Sequence, residues 1–411
     1  MVKYVEGLKC RECGRAYEVA PEHVCGFCFG PLEIVYDMAA IAADVSRDSI
    51  AAGPASLWRY APFLPAPLED RVDIGAGFTR LVEAPRLAAE LGLKKLWLKN
   101  DGGNPTHSFK DRVVSVALSV ARSFGFEVAS CASTGNLANA VAAHAAAAGM
   151  RSVVLIPHDL EAGKVAATTI YGGEVLSIQG SYDDVNRLCA ELAGSKPWAF
   201  VNVNLRPFYA EGSKTLAYEI AEQLGWRRPD AIVIPMASGS LFTKVAKGFR
   251  EMEEVGLIES AAPVTLHGGQ AAGCSPIADA FDRDSDDVRP VRPDTIARSL
   301  AIGNPADGFY ALREARASGG SITSVPEGSI AEAVRLLART EGIFTETAGG
   351  VTVAALEALV RSGAISPGDE TVILITGIGL KTLEAFEDLG AIESIPPTVD
   401  AVDTFLMEGE R

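Results

Sequence analysis

From Leu96 onward, short apolar runs suited to buried strands alternate with runs suited to helices. Lys95–Lys99, Glu127–Ser130, Ser152–Pro157 and Glu174–Ile178 read as strands, and Asp111–Phe124, Ala138–Ala148 and Gly163–Ile170 as helices. After Pro207 the pattern restarts, with a helical run at Ser213–Gln223, a strand at Ala231–Pro235, a helical run at Thr243–Glu253 and a strand at Thr265–Gly269. Parallel strands need a crossover between them, and a helix is the usual one, so this alternation predicts parallel sheets with helices on both faces. A chain of 411 residues also exceeds what one hydrophobic core serves. The expected fold class is therefore α/β, with two doubly wound α/β domains and a cleft between them. A small domain over 95–206 and a large one over 207–411 follow a connector at 38–94, which also begins the large domain. The Asp-, Arg- and Pro-rich segment Arg283–Pro293 reads as an exposed loop, and the tail from Glu393 as a short appendage.

The first 37 residues are different. Cys10-Arg11-Glu12-Cys13 and Cys25-Gly26-Phe27-Cys28 are two Cys-x-x-Cys pairs, eleven residues apart, each with a glycine at hand for a tight knuckle. Four thiolates from two such turns converge on a tetrahedral zinc, in a site with no open position and hence a structural role. Paired disulfides are the alternative, but the start Met1-Val2-Lys3-Tyr4 lacks the apolar core of a secretion signal. His23 reads as a surface residue, and Cys131, Cys189 and Cys274 as ordinary buried side chains.

Chemistry concentrates at the ends of the strands. Asn104-Pro105 marks a turn, and Ser108 is the expected N-cap of the helix that follows Lys110. An ammonium at Lys110 would face the positive end of the helix dipole, an arrangement that favours the neutral amine used in Schiff-base chemistry. A solvated lysine at a helix start is the plain alternative. Ser133-Thr134-Gly135-Asn136 joins a strand to a helix and offers hydroxyls, an amide and free backbone N–H groups to a carboxylate or phosphate. Ala237-Ser238-Gly239-Ser240-Leu241 follows another strand, and only small residues let such a loop close around a phosphate. Thr371–Ile375 is a fourth strand and presents Thr376 at its carboxyl end, where ligands sit in open α/β sheets.

These four segments, in this order and over about Gly77 to Leu389, resemble the pyridoxal-phosphate enzymes of fold type II, the tryptophan synthase β group, and within it the threonine synthases. The carrying motifs are Asn104-Pro-Thr-His-Ser-Phe-Lys110-Asp-Arg112, Ala132-Ser-Thr-Gly-Asn136, Glu211-Gly-Ser-Lys-Thr215 and Thr376-Gly-Ile-Gly-Leu-Lys381. The resemblance implies pyridoxal 5′-phosphate as cofactor and conversion of O-phospho-L-homoserine and water to L-threonine and phosphate. It implies that Lys110 bonds the cofactor's carbonyl carbon and that Phe109 packs beside it. Asn136 would bond the pyridoxal 3′-oxygen, and Thr376 would face a largely unprotonated pyridine nitrogen. The loop Ala237, Ser238, Gly239, Ser240 and Leu241 would surround the cofactor phosphate. Ser133, Thr134 and Gly135 would hold the substrate carboxylate, with Lys99 and His107 meeting the leaving phosphate. His107 replaces a glycine usual in the family, and Tyr209 stands where many members carry a phosphate-gripping arginine, with Arg206 nearby.

A net charge of −16 argues against nucleic acid as a partner, and it requires an anionic substrate to be held by local cations and helix N-termini. No apolar run is long enough to span a membrane. A cytoplasmic homodimer acting on a small anionic amino acid, with a structural Zn²⁺, is the expected state. Two rival readings are another pyridoxal-phosphate replacement enzyme, for instance one acting on phosphoserine, and a non-catalytic binding protein of the same fold.

Overall fold

A computed structural model describes all residues except 1, 134, 159–161, 181, 260–262, 387–393 and 410–411. The N-terminal unit is a three-stranded antiparallel sheet of β1 (Val5–Cys10), β2 (Ala16–Tyr17) and β3 (Leu32–Tyr36), in the order β2-β1-β3. Its last strand leads into the helix Met38–Asp44, whose first turn is capped by the Asp37 carboxylate accepting from Ala40 N at 2.9 Å.

The large sheet holds six strands. They are β4 (Leu81–Glu83), β5 (Lys95–Asn100), β10 (Ala231–Pro235), β11 (Thr265–Ala271), β12 (Ile322–Val325) and β13 (Glu370–Ile375), in the order β12-β11-β10-β13-β5-β4. Only the edge pair β4–β5 is antiparallel. The small sheet, all parallel, holds β6 (Val128–Ala132), β7 (Arg151–Pro157), β8 (Glu174–Ile178) and β9 (Trp198–Phe200), in the order β8-β7-β6-β9. Every residue of β6 and β10 is buried, as expected of strands covered on both faces. The expected α/β architecture is present, with one change of boundary. Lys95–Asn100 belongs to the large sheet, where it pairs with β13 along its full length, so the small sheet begins at Val128 and the expected start of the small domain at 95 is too early.

Two helices bring the sheets together. Lys110–Ser123 and Asn136–Ala148 pack side by side and are almost wholly buried where they meet. The alanine-rich composition of the second suits this close packing, and it stops at Gly149, which takes the left-handed conformation (φ 67°) that ends helices. The carboxyl ends of β6, β10 and β13 carry Ser133, Ala237 and Thr376 respectively.

The N-terminal sheet is docked through charge. Glu33 on β3 accepts from Lys244 at 2.5 Å, and Tyr36 donates to Glu211 at 2.9 Å. Glu211 also pairs with Lys214 at 2.7 Å and Lys244 at 2.7 Å, inside the protein. Buried charges are tolerated only when paired, and this cluster balances Glu33, Glu211 and Glu251 against Lys214, Lys244 and Lys247.

Candidate active site

The helix that carries the key lysine begins at Lys110 itself, with Phe109 in the preceding position. Ser108 is not its cap: its hydroxyl is buried and has no hydrogen-bond partner. The loop is held instead by main-chain contacts to the segment after β13, with Phe109 N donating to Thr376 O at 2.9 Å and Ile378 N to His107 O at 3.3 Å. These contacts bring Lys110 and Thr376 to one place. Asp111 reinforces the loop, accepting from Thr106 N and Thr106 Oγ1 at 2.8 Å each, and its Oδ1 lies 3.1 Å from His144 Nε2 on the Asn136 helix.

Lys110 is half-buried. Its amine lies 3.1 Å from Tyr209 Oη, 4.6 Å from the centre of the Phe109 ring and 5.8 Å from that of Tyr209. Asn136 Nδ2 and Thr376 Oγ1 each donate at 2.8 Å to one carboxylate, Glu346. Burial pushes the Glu346 carboxyl above its ordinary value, against the pull of Asn136 and Thr376. Sequence reasoning passed over Glu346. Its signal was an acid directly ahead of Thr347-Ala348-Gly349-Gly350, the small-residue start of a buried helix.

The loop Ala237–Gly239 runs into the N-terminus of the 15-residue helix Ser240–Glu254, with Leu241 buried in its first turn. Gly239 has φ 88°, and a Cβ there would lie 2.8 Å from the Asp307 carbonyl oxygen, so the loop requires glycine twice over. Small side chains at 237–240, free amides and the helix dipole make a cradle for a phosphate monoester. Together with an amine at Lys110 and hydrogen-bonding groups at Asn136 and Thr376, this donor set fits pyridoxal phosphate. Ser133 is buried at the end of β6 and its Oγ accepts from Gly135 N at 3.3 Å, while Thr134 lies outside the described residues.

The expected phosphate grip is placed differently. Lys99 is fully buried, and its ammonium donates to Thr79 O at 2.6 Å and Gln223 Oε1 at 2.9 Å and pairs with Glu219 at 2.6 Å. The expectation that Lys99 meets a leaving phosphate is thereby corrected: strand alternation turns its side chain into the face covered by the helix Thr215–Gln223. Arg112, Asp101 and Glu219 complete this cluster, with Arg112 Nε 2.7 Å from Asp101. His107 is exposed, its Nδ1 3.3 Å from Gly102 O, and its φ of 63° is the left-handed conformation that glycine adopts without cost. The unusual residue thus sits on a backbone made for the usual one.

At the N-terminus, Cys10, Cys13, Cys25 and Cys28 place their sulfurs within 4.8 Å of one another. Cys10–Cys28 and Cys13–Cys25 are 3.4 and 3.6 Å apart, too far for disulfides. They are close to the ~3.8 Å separation of thiolates around a tetrahedral zinc. The knuckle between the first two cysteines touches the body: Arg11 lies 3.5 Å from Asp307 and stacks on Tyr310, which donates to Glu12. Asp307 also holds Arg206 at 2.8 Å, and its own N–H donates to Ser238 O at 2.9 Å in the phosphate loop.

Fold and site together define the class: residues 72–377 match the family model described as pyridoxal-phosphate dependent enzyme. The chain is 38% identical over 380 residues to the threonine synthase of Methanocaldococcus jannaschii, covering 92% of this chain and 93% of that protein. It is 40% identical over 374 residues to the threonine synthase of Methanosarcina acetivorans, covering 90% of each. The chain belongs to the threonine synthase family of pyridoxal-phosphate dependent enzymes. Among solved structures, the processed form of threonine deaminase isoform 2 from Solanum lycopersicum shares the fold, with a TM-score of 0.66, 20% identity and coverage of 82% of this chain and 94% of that one.

Proposed function

We propose that the protein converts O-phospho-L-homoserine and water to L-threonine and phosphate. The observation that carries this reading is identity of 38–40% to two threonine synthases along at least nine-tenths of the chain. When bound, pyridoxal phosphate supplies an electron sink for charge that develops beside the substrate amine. The side chains do the rest. Lys110 would hold the cofactor through its amine, and as a free base that amine would remove the substrate α-proton and move a proton at Cβ as the γ-phosphate leaves. Ser133, Thr134 and Gly135 hold the substrate carboxylate, and His107 keeps its proposed part at the leaving phosphate. Asn136 and Thr376 orient the ring, Phe109 packs beside it, and the loop Ala237–Leu241 takes the cofactor phosphate.

We further propose a structural zinc on Cys10, Cys13, Cys25 and Cys28, and a cytoplasmic homodimer. Among the described residues, no helix is long and apolar enough to cross a membrane. The replacement of the family's arginine by Tyr209 favours one second reading, a phosphate-releasing replacement enzyme acting on phosphoserine. Incubating the purified enzyme with O-phospho-L-homoserine or O-phospho-L-serine, and measuring phosphate and threonine together, decides between them. Threonine and phosphate in equal amounts from the first substrate support the reading, and phosphate from the second alone sinks it. Lys110→Ala is expected to abolish turnover and the cofactor's visible absorbance while the far-ultraviolet circular dichroism stays unchanged. Retention of that absorbance would show that another residue holds the cofactor.

A further inference from the structure

Among the described residues, the hydrogen-bond partner of the Lys110 amine is a phenol, Tyr209 Oη at 3.1 Å. Tyr209 sits on the short helix Arg206–Glu211, whose placement is over-determined. Its own N–H donates to Leu205 O at 2.9 Å. Phe208 packs edge-on against Phe124, with ring centres 5.6 Å apart. Glu211, two residues on, is locked by Tyr36, Lys214 and Lys244. A hydroxyl carried on such an element is a fixed point for the amine, whereas the lysine is a flexible chain ending in a freely rotating group.

We propose that Tyr209 is a catalytic residue for the proton transfers of Lys110, a reading that rests on the role given to Lys110 above. A neutral amine has two N–H bonds and one lone pair. With one N–H donated to Tyr209 Oη, rotation about Cε–Nζ is restricted and the lone pair is kept for the substrate. In the transfer, the Cα–H bond breaks, its proton forms a new N–H bond on Nζ, and the electron pair passes to the cofactor sink. Tyr209 keeps its own proton throughout. The N–H···O contact strengthens as the nitrogen gains positive charge, because a charge-assisted hydrogen bond is roughly twice as strong as a neutral one. The contact therefore favours the state in which Lys110 carries the proton over the state before it, which is how an interaction raises a rate and not merely an affinity. An uncharged phenol cannot neutralise a phosphate as the family's arginine would, so this position has exchanged a grip on substrate for a hold on the base.

The test is Tyr209→Phe, which removes one oxygen and keeps the ring. Four quantities are measured on the cofactor-loaded enzyme: visible absorbance, kcat, KM for O-phospho-L-homoserine, and exchange of the substrate α-proton with D2O. Absorbance should be unchanged. Both kcat and α-proton exchange should fall together by about 10- to 100-fold, the span expected for a lost hydrogen bond to a charged group. KM should stay within about threefold of wild type. A raised KM with kcat and exchange unchanged would place Tyr209 on the substrate phosphate and overturn the proposal, as would no change in any of the three. The outcome is separable from the proposed activity. If wild type forms no threonine, the activity fails, while α-proton exchange on O-phospho-L-serine in the two proteins still decides the role of Tyr209.

Discussion

Lys99 Nζ lies 2.6 Å from a Glu219 carboxylate oxygen, and neither side chain is exposed. Burial pulls the Lys99 ammonium below its ordinary value, against the attraction of Glu219. Glu219 is held down to about 2 against the opposing push of burial, by Arg112 first and Lys99 second. The pair supports the wall behind the lysine loop, since Arg112 is two residues from Lys110 and also binds Asp101. Lys99→Met should therefore destabilise the fold by about 3 kcal/mol, the low end for breaking a buried pair, because Arg112 continues to face Glu219. Urea unfolding measures the loss. A normal unfolding midpoint combined with a large fall in kcat/KM would return Lys99 to the substrate.

Glu219 also sets an acid limit. Its folded value of about 2 lies below the ordinary 4.5, so folding favours the ionised form. That contribution is complete above pH about 4.5 and is lost as the pH falls toward about 2, for a total of about 3 kcal/mol. Stability measured between pH 2 and 6 should fall more steeply in wild type than in Glu219→Gln. Parallel curves for the two proteins would place the acid sensitivity elsewhere.

Glu346 joins Asn136 to Thr376, the two groups proposed to orient the cofactor ring. Glu346→Ala leaves the half-buried Asn136 Nδ2 and the buried Thr376 Oγ1 without their acceptor, at a cost of about 1–3 kcal/mol for the buried one. We expect the apoenzyme to bind pyridoxal phosphate about 5- to 100-fold more weakly, with its fold retained. Titration of apoenzyme, followed by visible absorbance, gives the Kd. An unchanged Kd and spectrum would mean that Asn136 and Thr376 hold their positions without it.

The zinc proposal has its own measurement. Purified protein should carry about one zinc per chain, and Cys25→Ser should lose it with little change in cofactor absorbance. Metal-free wild type from a zinc-replete preparation would contradict the assignment. The contacts of Arg11 and Glu12 with Asp307 and Tyr310 add a second expectation: the zinc-free variant should be cut by protease first within 1–37.

The alternation of buried strands and helices, the paired cysteines and the Lys110, Asn136, Gly239 and Thr376 segments were legible in the sequence. Each is local: a strand's apolar run, a knuckle's spacing or a glycine required by φ is written within a few neighbouring residues. What covers a strand face is not local. Lys99 looked available because it ends a strand beside the lysine loop, and only the packing of Thr215–Gln223 on that face placed Glu219 against it. Glu346 and Tyr209 likewise lie 236 and 99 positions from Lys110, in segments whose own patterns mark nothing beyond an acid before a helix and an aromatic in place of an arginine. The assignment of strand Lys95–Asn100 to the large sheet was also decided by tertiary structure, because hydrogen bonding to β13 across the chain is invisible to a pattern read in order. Sequence by itself marked the segments on which chemistry is proposed, though not Glu346 or the contact between Tyr209 and Lys110. The fold decided which of their charges remain available, because an ammonium taken out of water must find its partner wherever the packing supplies one.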